Sequence, residues 1–113
     1  GIPYGPARKM IDYGLGICLA SDYNPGSTPS GNIPFVMSLG CIKMKLLPEE
    51  AFNATTINGA CAMELEQQLG SISRGKIANL IITKKMEGIS FLPYSFGGMH
   101  IDTVILKGKI QGI

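Results

Sequence analysis

The sequence predicts an α/β fold, and three observations carry this prediction. The uninterrupted apolar run at residues 17–20 is typical of a strand buried on both faces of a parallel sheet. Segments with the spacing of amphipathic helices lie on both sides of it, at residues 6–13 and 32–45. After Gly70 the apolar residues change from the helical period to that of strands.

The first helix and the first strand form one αβ unit. Pro6 suits the first turn of a helix over residues 6–13, and Gly14 provides its C-cap. The strand at residues 16–21 follows almost at once, and connections of this length are usual within αβ units.

The longest predicted helix covers residues 32–45. Asn32 can cap its N-terminus, and few of its positions are polar. Apolar side chains recur along it at helical spacing, at Phe35, Leu39, Ile42 and Leu46. We therefore expect protein to cover this helix on most sides, and we interpret its methionines as core residues and not as metal ligands.

Two shorter helices are predicted next. Pro48 occupies the first position of one of them, and the two glutamates that follow complement its N-terminal dipole. An Ala-rich helix then begins at Thr56 or Asn58 and continues to about Leu65. Gly70 ends this helical region.

Strands dominate the last third of the chain. Residues 77–83 and 101–107 have the composition of strands, and residues 108–110 can continue the second one past a tight turn. The Gly-, Pro- and aromatic-rich residues 87–98 between them are predicted to form a loop. Because so few strands do not form a stable sheet alone, we expect them to belong to a larger sheet.

The composition indicates apolar surface that something else covers. Charged residues make up 16% of the chain, against about 25% in a typical soluble domain. Hydrophobic residues reach 45%, and the mean hydropathy is +0.22. A small domain normally needs more charge than this. We therefore expect either more chain or a partner subunit, with homo-oligomers forming through the exposed apolar surface.

Charge and cysteine usage exclude several classes of partner. The net charge is +2, and the basic residues are scattered, so no nucleic-acid stripe is formed. No apolar run approaches the ~18 residues of a membrane span. The cysteines Cys18, Cys41 and Cys61 are odd in number and lack CxxC spacing, as is usual for reduced core residues. We expect a cytoplasmic protein with neither nucleic acid nor membrane as a partner.

Asp22 is the strongest candidate for a catalytic residue. It follows the predicted strand and precedes a loop and a helix, which is where α/β barrels carry their catalytic groups. Ionised aspartate is a hard ligand for a divalent metal and a proton acceptor beside one. Catalytic zinc uses about three protein ligands. The single histidine, His100, is interpreted as structural, so we do not expect a complete metal site.

The turn that follows Asp22 allows two interpretations. Residues 24–28 offer backbone N–H groups, an amide and two hydroxyls, which together can bind a carboxylate or a polarised carbonyl. The same residues can instead form an Asx-turn whose hydrogen bonds satisfy one another. The residues alone leave both interpretations open.

The sequence, and the turn at residues 22–27 above all, resembles the C-terminal portion of the imidazolonepropionases, a family of histidine-degradation enzymes in the amidohydrolase superfamily. The resemblance covers essentially the whole chain, and its most specific element is the Asp-x-Asn-Pro-Gly-Ser turn at residues 22–27. Further matching segments lie at residues 6–12, 37–39, 48–51, 56–58, 70–72, 74–76 and 92–94.

The resemblance implies a more specific architecture. In that family a metal-dependent (β/α)8 barrel is joined to a small β-sandwich. Residues 1–69 would then be the C-terminal part of the barrel domain, with its last strand at residues 16–21. Residues 70–113 would supply the C-terminal strands of the sandwich. The implied fold is a C-terminal fragment of an amidohydrolase barrel with part of the second domain.

The resemblance also implies an activity and a set of site residues. These enzymes use zinc or iron to hydrolyse 4-imidazolone-5-propanoate to N-formimidoyl-L-glutamate, a reaction at a C–N bond other than a peptide bond. Asp22 would contact the metal and manage the proton of the attacking water. Asn24 and Gly26 would contact formimidoyl-glutamate, and Ser27 would contact the imidazolone.

The family's remaining metal ligands have no counterpart in this sequence. Its His-x-His pair, its later histidines and its glutamate lie upstream in the barrel. We therefore expect zinc or iron in the full-length enzyme, no properly bound metal in this chain alone, and no activity of this chain alone.

Two alternatives remain open. The first is another cyclic amidohydrolase or a deaminase of the same superfamily, which an imidazolone assay on the full-length protein would distinguish. The second is a non-catalytic subunit or interaction module, which predicts a defined oligomer that needs no upstream sequence.

Overall fold

The chain forms a small α/β fold, as the sequence predicts. The computed structural model describes residues 2–112, and within that range it contains five helices and three strands. In chain order these are α1 (Ala7–Asp12), α2 (Ile33–Lys43), α3 (Pro48–Thr55), α4 (Ile57–Ala62), β1 (Leu80–Thr83), α5 (Phe91–Tyr94), β2 (Ile101–Leu106) and β3 (Lys109–Ile110).

The predicted N-terminal helix is confirmed as α1. It begins directly after Pro6, whose ring is tolerated there because the first helical N–H groups have no partner within the helix. At the other end the Gly14 N–H donates to the Ile11 carbonyl at 2.8 Å. Gly14 has a φ of +83°, which glycine adopts without steric cost, and the helix ends there.

Asn32 caps α2, as predicted. Its side-chain oxygen accepts a hydrogen bond from the Phe35 N–H at 2.9 Å. Of the eleven residues of α2, only Ile42 and Lys43 are exposed. The expectation that protein covers most of this helix is therefore confirmed.

The helices α3 and α4 also form where the sequence predicts them. The Glu50 carboxylate accepts the Leu47 N–H at 2.8 Å, which satisfies a backbone donor just before α3. Thr56 separates the two helices with a φ of −121° and a ψ of −95°. The helix α4 ends at Ala62, a few residues earlier than predicted.

The three strands form one antiparallel sheet in the order β1-β2-β3. Leu80 pairs with Ile105, and the register shifts between Ile82 and Thr83. Lys107 and Gly108 join β2 to β3 with φ values of +50° and +78°, as a two-residue type I′ hairpin requires.

The hydrophobic core lies between α1, α2, α3 and the α5 segment. Its buried members are Ala7, Met37, Leu46, Ala51 and Leu92. Few large side chains are fully enclosed, and many apolar ones stay exposed. On β1, the adjacent Ile81 and Ile82 are 53% and 51% exposed, although neighbouring strand residues point to opposite faces. Neither face of the sheet is therefore fully covered by residues 2–112.

The prediction of a loop throughout residues 87–98 is wrong in part, because Phe91–Tyr94 form α5. Tertiary contacts stabilise this short helix, and the periodicity of the sequence does not reveal them. The buried Ser38 hydroxyl donates to the Pro93 carbonyl at 2.6 Å, and Leu92 is buried in the core.

The prediction of a strand buried on both faces at residues 17–20 is also wrong for this chain. Ile17 and Leu19 are half-buried, whereas Cys18 and Ala20 are exposed. No strand among residues 2–112 pairs with this segment, so only its inner side is covered.

The expectation that the cysteines are reduced is confirmed, whereas the expectation that they all lie in the core is wrong for two of them. Cys18, Cys41 and Cys61 are all free thiols. Cys41 is partly buried, whereas Cys18 and Cys61 are exposed. The two exposed cysteines lie on surfaces that no other described residues cover. Separately, no helix within the described part of the chain has the length and apolar character needed to cross a bilayer.

Candidate active site

Two backbone contacts place the segment that leads to Asp22. The Leu19 N–H donates to the Ala54 carbonyl at 3.0 Å, and the Asn58 side-chain amide donates to the Ile17 carbonyl at 2.9 Å. These contacts fix residues 17–19 against α3 and α4. The segment therefore delivers Asp22 to one place on the helical part of the fold.

Asp22 stands at a sharp change of chain direction. Its φ is +51°, in the left-handed region that aspartate enters more easily than most residues. Its side chain is exposed, and within residues 2–112 its carboxylate contacts neither a hydrogen-bond donor nor a cation. This carboxylate is therefore free to bind a metal or to accept a proton.

Asn24 organises the turn that follows. Its Oδ1 accepts the Gly26 N–H at 2.9 Å, the Ser27 N–H at 2.8 Å and the Ser27 hydroxyl at 3.2 Å. Its Nδ2 donates to the Asp22 carbonyl at 2.7 Å. The backbone groups of Asn24 and Thr28 also pair, at 2.9 and 3.2 Å.

The turn thus adopts the Asx-turn arrangement, the second of the two interpretations of the sequence. The N–H groups of Gly26 and Ser27 point inward to Asn24 and do not offer a binding site for an anion. The groups left for a ligand are the Asp22 carboxylate, the outer side of the Ser27 hydroxyl and the Tyr23 ring, which is 67% exposed.

All four residues singled out from the sequence lie on this one turn. Asp22, Asn24, Gly26 and Ser27 are linked by the hydrogen bonds of Asn24. His100 lies in a different environment, edge-on to the ring of Phe91 with 4.9 Å between centroids. Its Nε2 is buried without a partner among residues 2–112.

The described residues do not assemble a complete metal site. Within residues 2–112 no three of the side chains of His, Cys, Asp and Glu come together in a group that could hold an ion. Asp22 fits the role of one ligand, because its carboxylate is exposed and uncommitted, and carboxylate oxygen suits a divalent cation. Further ligands would have to come from other residues.

Cys41 is the one partly buried thiol, and its environment argues against a role as a nucleophile. Burial raises the pKa of the Cys41 thiol, and the nearby carboxylates of Glu49 and Glu50 raise it further. Since the thiolate is the reactive form, this environment makes Cys41 a weaker nucleophile than an ordinary thiol.

Sequence reasoning missed a second contact of Asn32. Besides capping α2, Asn32 donates from Nδ2 to the Gly97 carbonyl at 2.9 Å. The capping role is visible in the sequence, whereas a partner 65 residues away carries no local signal.

Comparisons with known proteins give the chain its family. Residues 4–111 match the amidohydrolase family. The imidazolonepropionase of Christiangramia forsetii is 59% identical over 109 residues, which are 96% of this chain and 26% of that protein. The imidazolonepropionase of Flavobacterium johnsoniae is 58% identical over the same shares of the two chains. That of Alkaliphilus metalliredigens is 50% identical over 107 residues, 95% of this chain and 25% of that protein.

The match covers nearly all of this chain but only part of each relative. The chain spans about a quarter of the length of these curated relatives. The family match extends over the Asp22 turn, the helices and the sheet together. The resemblance read from the sequence is confirmed, and the chain belongs to the amidohydrolase family.

Proposed function

We propose that this chain is part of an imidazolonepropionase, which hydrolyses 4-imidazolone-5-propanoate to N-formimidoyl-L-glutamate. The observation that carries the proposal is the free Asp22 carboxylate beside a turn that Asn24 holds rigid. The high identity to proteins named imidazolonepropionase, over nearly the whole chain, supports the choice of substrate.

The proposal assigns the chain to two domains of a larger enzyme. Residues 1–69 are the end of a (β/α)8 barrel, with residues 16–21 as its last strand. The alternation of half-buried and exposed residues at 17–20 supports this, because neighbouring barrel elements would cover the exposed side. Residues 70–113 belong to a β-sandwich, which the uncovered faces of the antiparallel sheet support.

A divalent metal, zinc or iron, is part of the proposal. Asp22 is the residue of this chain that would hold it, and the remaining ligands would come from the rest of the protein. A bound metal of this kind polarises water and lowers its pKa toward about 7.

Asp22 manages the proton in the proposed reaction. The water oxygen bonds to the ring carbonyl carbon while the water proton passes to the Asp22 carboxylate. The bond between that carbon and the ring nitrogen then breaks, and the nitrogen takes the proton from Asp22. One water is consumed, and the carboxyl group formed from the ring carbonyl releases its remaining proton to solvent, which leaves a new carboxylate on the open-chain product. The exposed, uncommitted state of the Asp22 carboxylate supports this role.

The turn positions the substrate in the proposed site. Asn24 and Gly26 lie beside the formimidoyl-glutamate product, and the Ser27 hydroxyl contacts the imidazolone. Because Asn24 uses its own oxygen to hold Gly26 and Ser27, its main contribution is to keep the turn in one conformation. A rigid turn loses little entropy when the substrate binds.

The whole enzyme is proposed to act in the cytoplasm as a homo-oligomer. Any exposed apolar side chains of this chain that the rest of the enzyme leaves uncovered would form the contact between subunits. No nucleic acid or membrane enters the proposed activity.

The direct test uses the intact protein that contains this chain. The purified, metal-loaded protein is incubated with 4-imidazolone-5-propanoate and, separately, with other cyclic amides and with aminated heterocycles as deaminase substrates. Mass spectrometry then follows the gain of one water or the loss of ammonia. We expect ring opening of the imidazolone alone. Turnover of another substrate with no imidazolone hydrolysis would overturn the proposal.

A further inference from the structure

Asn32 joins two distant parts of the fold through both ends of its amide. Its Oδ1 accepts the Phe35 N–H at 2.9 Å, and its Nδ2 donates to the Gly97 carbonyl at 2.9 Å. A backbone N–H can only donate and a carbonyl can only accept, so these two partners fix the orientation of the amide. An aspartate side chain has the same shape as that of asparagine, but it lacks the N–H donor that binds the Gly97 carbonyl.

The turn that carries Gly97 fits closely against the start of α2. Gly97 has a φ of +88°, and a Cβ there would lie 3.2 Å from both the Asn32 Nδ2 and the Phe35 Cβ. The preceding Phe96 meets the ring of Phe35 edge-on, with 5.0 Å between centroids. Phe96 itself has a φ of +53°, an unusual conformation for a bulky residue. These features indicate close docking independently of the hydrogen bonds of Asn32.

A second contact fixes the same two segments further along α2. The Ser38 hydroxyl, which is fully buried, donates to the Pro93 carbonyl at 2.6 Å. The direction of α2 therefore depends on residues 91–97 at two points.

Asn32 is also the residue at which the candidate site loop ends. Thr28 is paired with Asn24, and only Pro29, Ser30 and Gly31 separate it from Asn32. The Ser30 hydroxyl accepts the Asn32 N–H at 3.2 Å, and Pro29 has a restricted φ. A displacement of Asn32 is therefore transmitted to the turn through a connection of only three residues.

We propose that Asn32 is a positioning residue for the active site. Its hydrogen bond to Gly97 fixes the start of α2 and so holds the turn at residues 22–27 in place. The kinetic consequence rests on the proposed function, whereas the effect on the mobility of the turn does not.

Two variants of the intact protein separate this role from simple helix capping. Asn32→Asp keeps the cap on Phe35 and places a negative charge at the helix N-terminus, where it is favourable. This variant has no N–H group to donate to the Gly97 carbonyl. Asn32→Ser keeps a capping oxygen, adds no charge and is too short to reach Gly97 as well. Asn53→Asp, at an exposed position on α3, is the matched control for the change from amide to carboxylate.

The first readout is hydrogen exchange at residues 22–31. We expect exchange at the Gly26, Ser27 and Thr28 amides to become about tenfold faster in both Asn32 variants, the effect of losing one hydrogen bond. The Tm should fall by no more than a few degrees, because the cap remains and only the hydrogen bond to Gly97 is lost. Asn53→Asp should leave exchange of these amides unchanged.

The second readout is the kinetics of imidazolone hydrolysis. We expect kcat/KM to fall by about 10- to 100-fold, with KM raised as well as kcat lowered, because the turn is misplaced. A purely structural role would reduce the active fraction and leave KM unchanged.

Each outcome bears on the proposal. Wild-type exchange and kinetics in both variants would overturn it, as would an effect of Asn32→Asp that Asn32→Ser does not share. Faster exchange spread over the whole chain, with a Tm lowered by much more than a few degrees, would also overturn it. Faster exchange confined to the turn, in a protein that does not hydrolyse the imidazolone, would support the positioning role and reject the proposed function.

Discussion

Arg8 and Glu50 form a two-pronged ion pair that joins α1 to α3. The Nη1–Oε1 distance is 2.7 Å, and the Nη2–Oε2 distance is 2.9 Å. Arg8 also binds Asp12 through its Nε at 3.0 Å, and Glu50 also accepts the Leu47 N–H. Because α1 leads directly into the segment before Asp22, the pair helps to set where that segment begins.

This ion pair predicts that stability depends on pH. The hydrogen bond from Arg8, followed by that from the Leu47 N–H, lowers the pKa of Glu50 below its ordinary value of 4.5. Such a carboxylate contributes stability that is fully present above 4.5 and is lost as the pH falls through the lower folded-state pKa. We expect Glu50→Gln to lower the Tm by a few degrees near neutral pH, and the difference from wild type to vanish in acid.

Thermal unfolding of the intact protein across that pH range measures the effect. Glu49→Gln is the matched control, since Glu49 is the exposed neighbour of Glu50 on α3 and forms no ion pair among residues 2–112. A difference in Tm between wild type and Glu50→Gln that stays constant down to strongly acidic pH would contradict the account.

The turn after Asp22 predicts a graded effect on substrate binding. Asn24→Ala removes the acceptor for the N–H groups of Gly26 and Ser27, so we expect KM to rise by about tenfold or more. Ser27→Ala keeps the backbone hydrogen bonds and removes only the hydroxyl, so its KM should rise less. Steady-state kinetics of the intact enzyme measure both, and the reverse order would contradict the role of Asn24 as the organiser of the turn.

Gly70 predicts a large loss of stability on substitution. Its φ is +94°, and a Cβ there would lie 2.7 Å from the Ala60 Cβ and 3.0 Å from the Ile57 Cα. Gly75 has a similar φ of +92° but open space around it. Gly75→Ala should therefore cost only about 1–2 kcal/mol, the penalty of the left-handed conformation.

We expect Gly70→Ala to cost about 1–3 kcal/mol more than Gly75→Ala, because the added methyl group also overpacks the site. Denaturant unfolding of both variants in the intact protein measures the difference. Equal losses would show that the contact with α4 relaxes without cost.

Local chemistry explains why much of the fold is visible in the sequence. Asn32 and Pro48 are standard helix-start residues, and Gly14 stops α1 through its positive φ. The β2–β3 hairpin likewise follows from Lys107 and Gly108, which complete a two-residue turn.

The features that the sequence did not reveal depend on distant contacts. The helix α5 forms where Ser38 contacts Pro93, and the second role of Asn32 requires Gly97. The apolar run at residues 17–20 predicts more burial than the structure has, because an apolar run does not say which residues cover it. Such contacts leave no periodic signal in a single sequence.

The candidate site was only partly predictable. Asp22 and the turn could be located from their position after an apolar run, and the resemblance named Asn24, Gly26 and Ser27. The sequence could not predict the hydrogen-bond pattern inside the turn, because the Asn24 side chain can bond either to the backbone of the turn or to a ligand. In the structure it holds the turn.

The most direct test of the account compares turnover by wild type, Asp22→Asn and Asp102→Asn in the intact, metal-loaded protein. Asp102 is an exposed aspartate on β2 and controls for the loss of one carboxylate. We predict that Asp22→Asn lowers kcat for imidazolone hydrolysis by about 10²–10⁴-fold with the fold unchanged, because the proton acceptor is removed. Asp102→Asn should retain wild-type kcat. Near-wild-type kcat in Asp22→Asn would contradict the account.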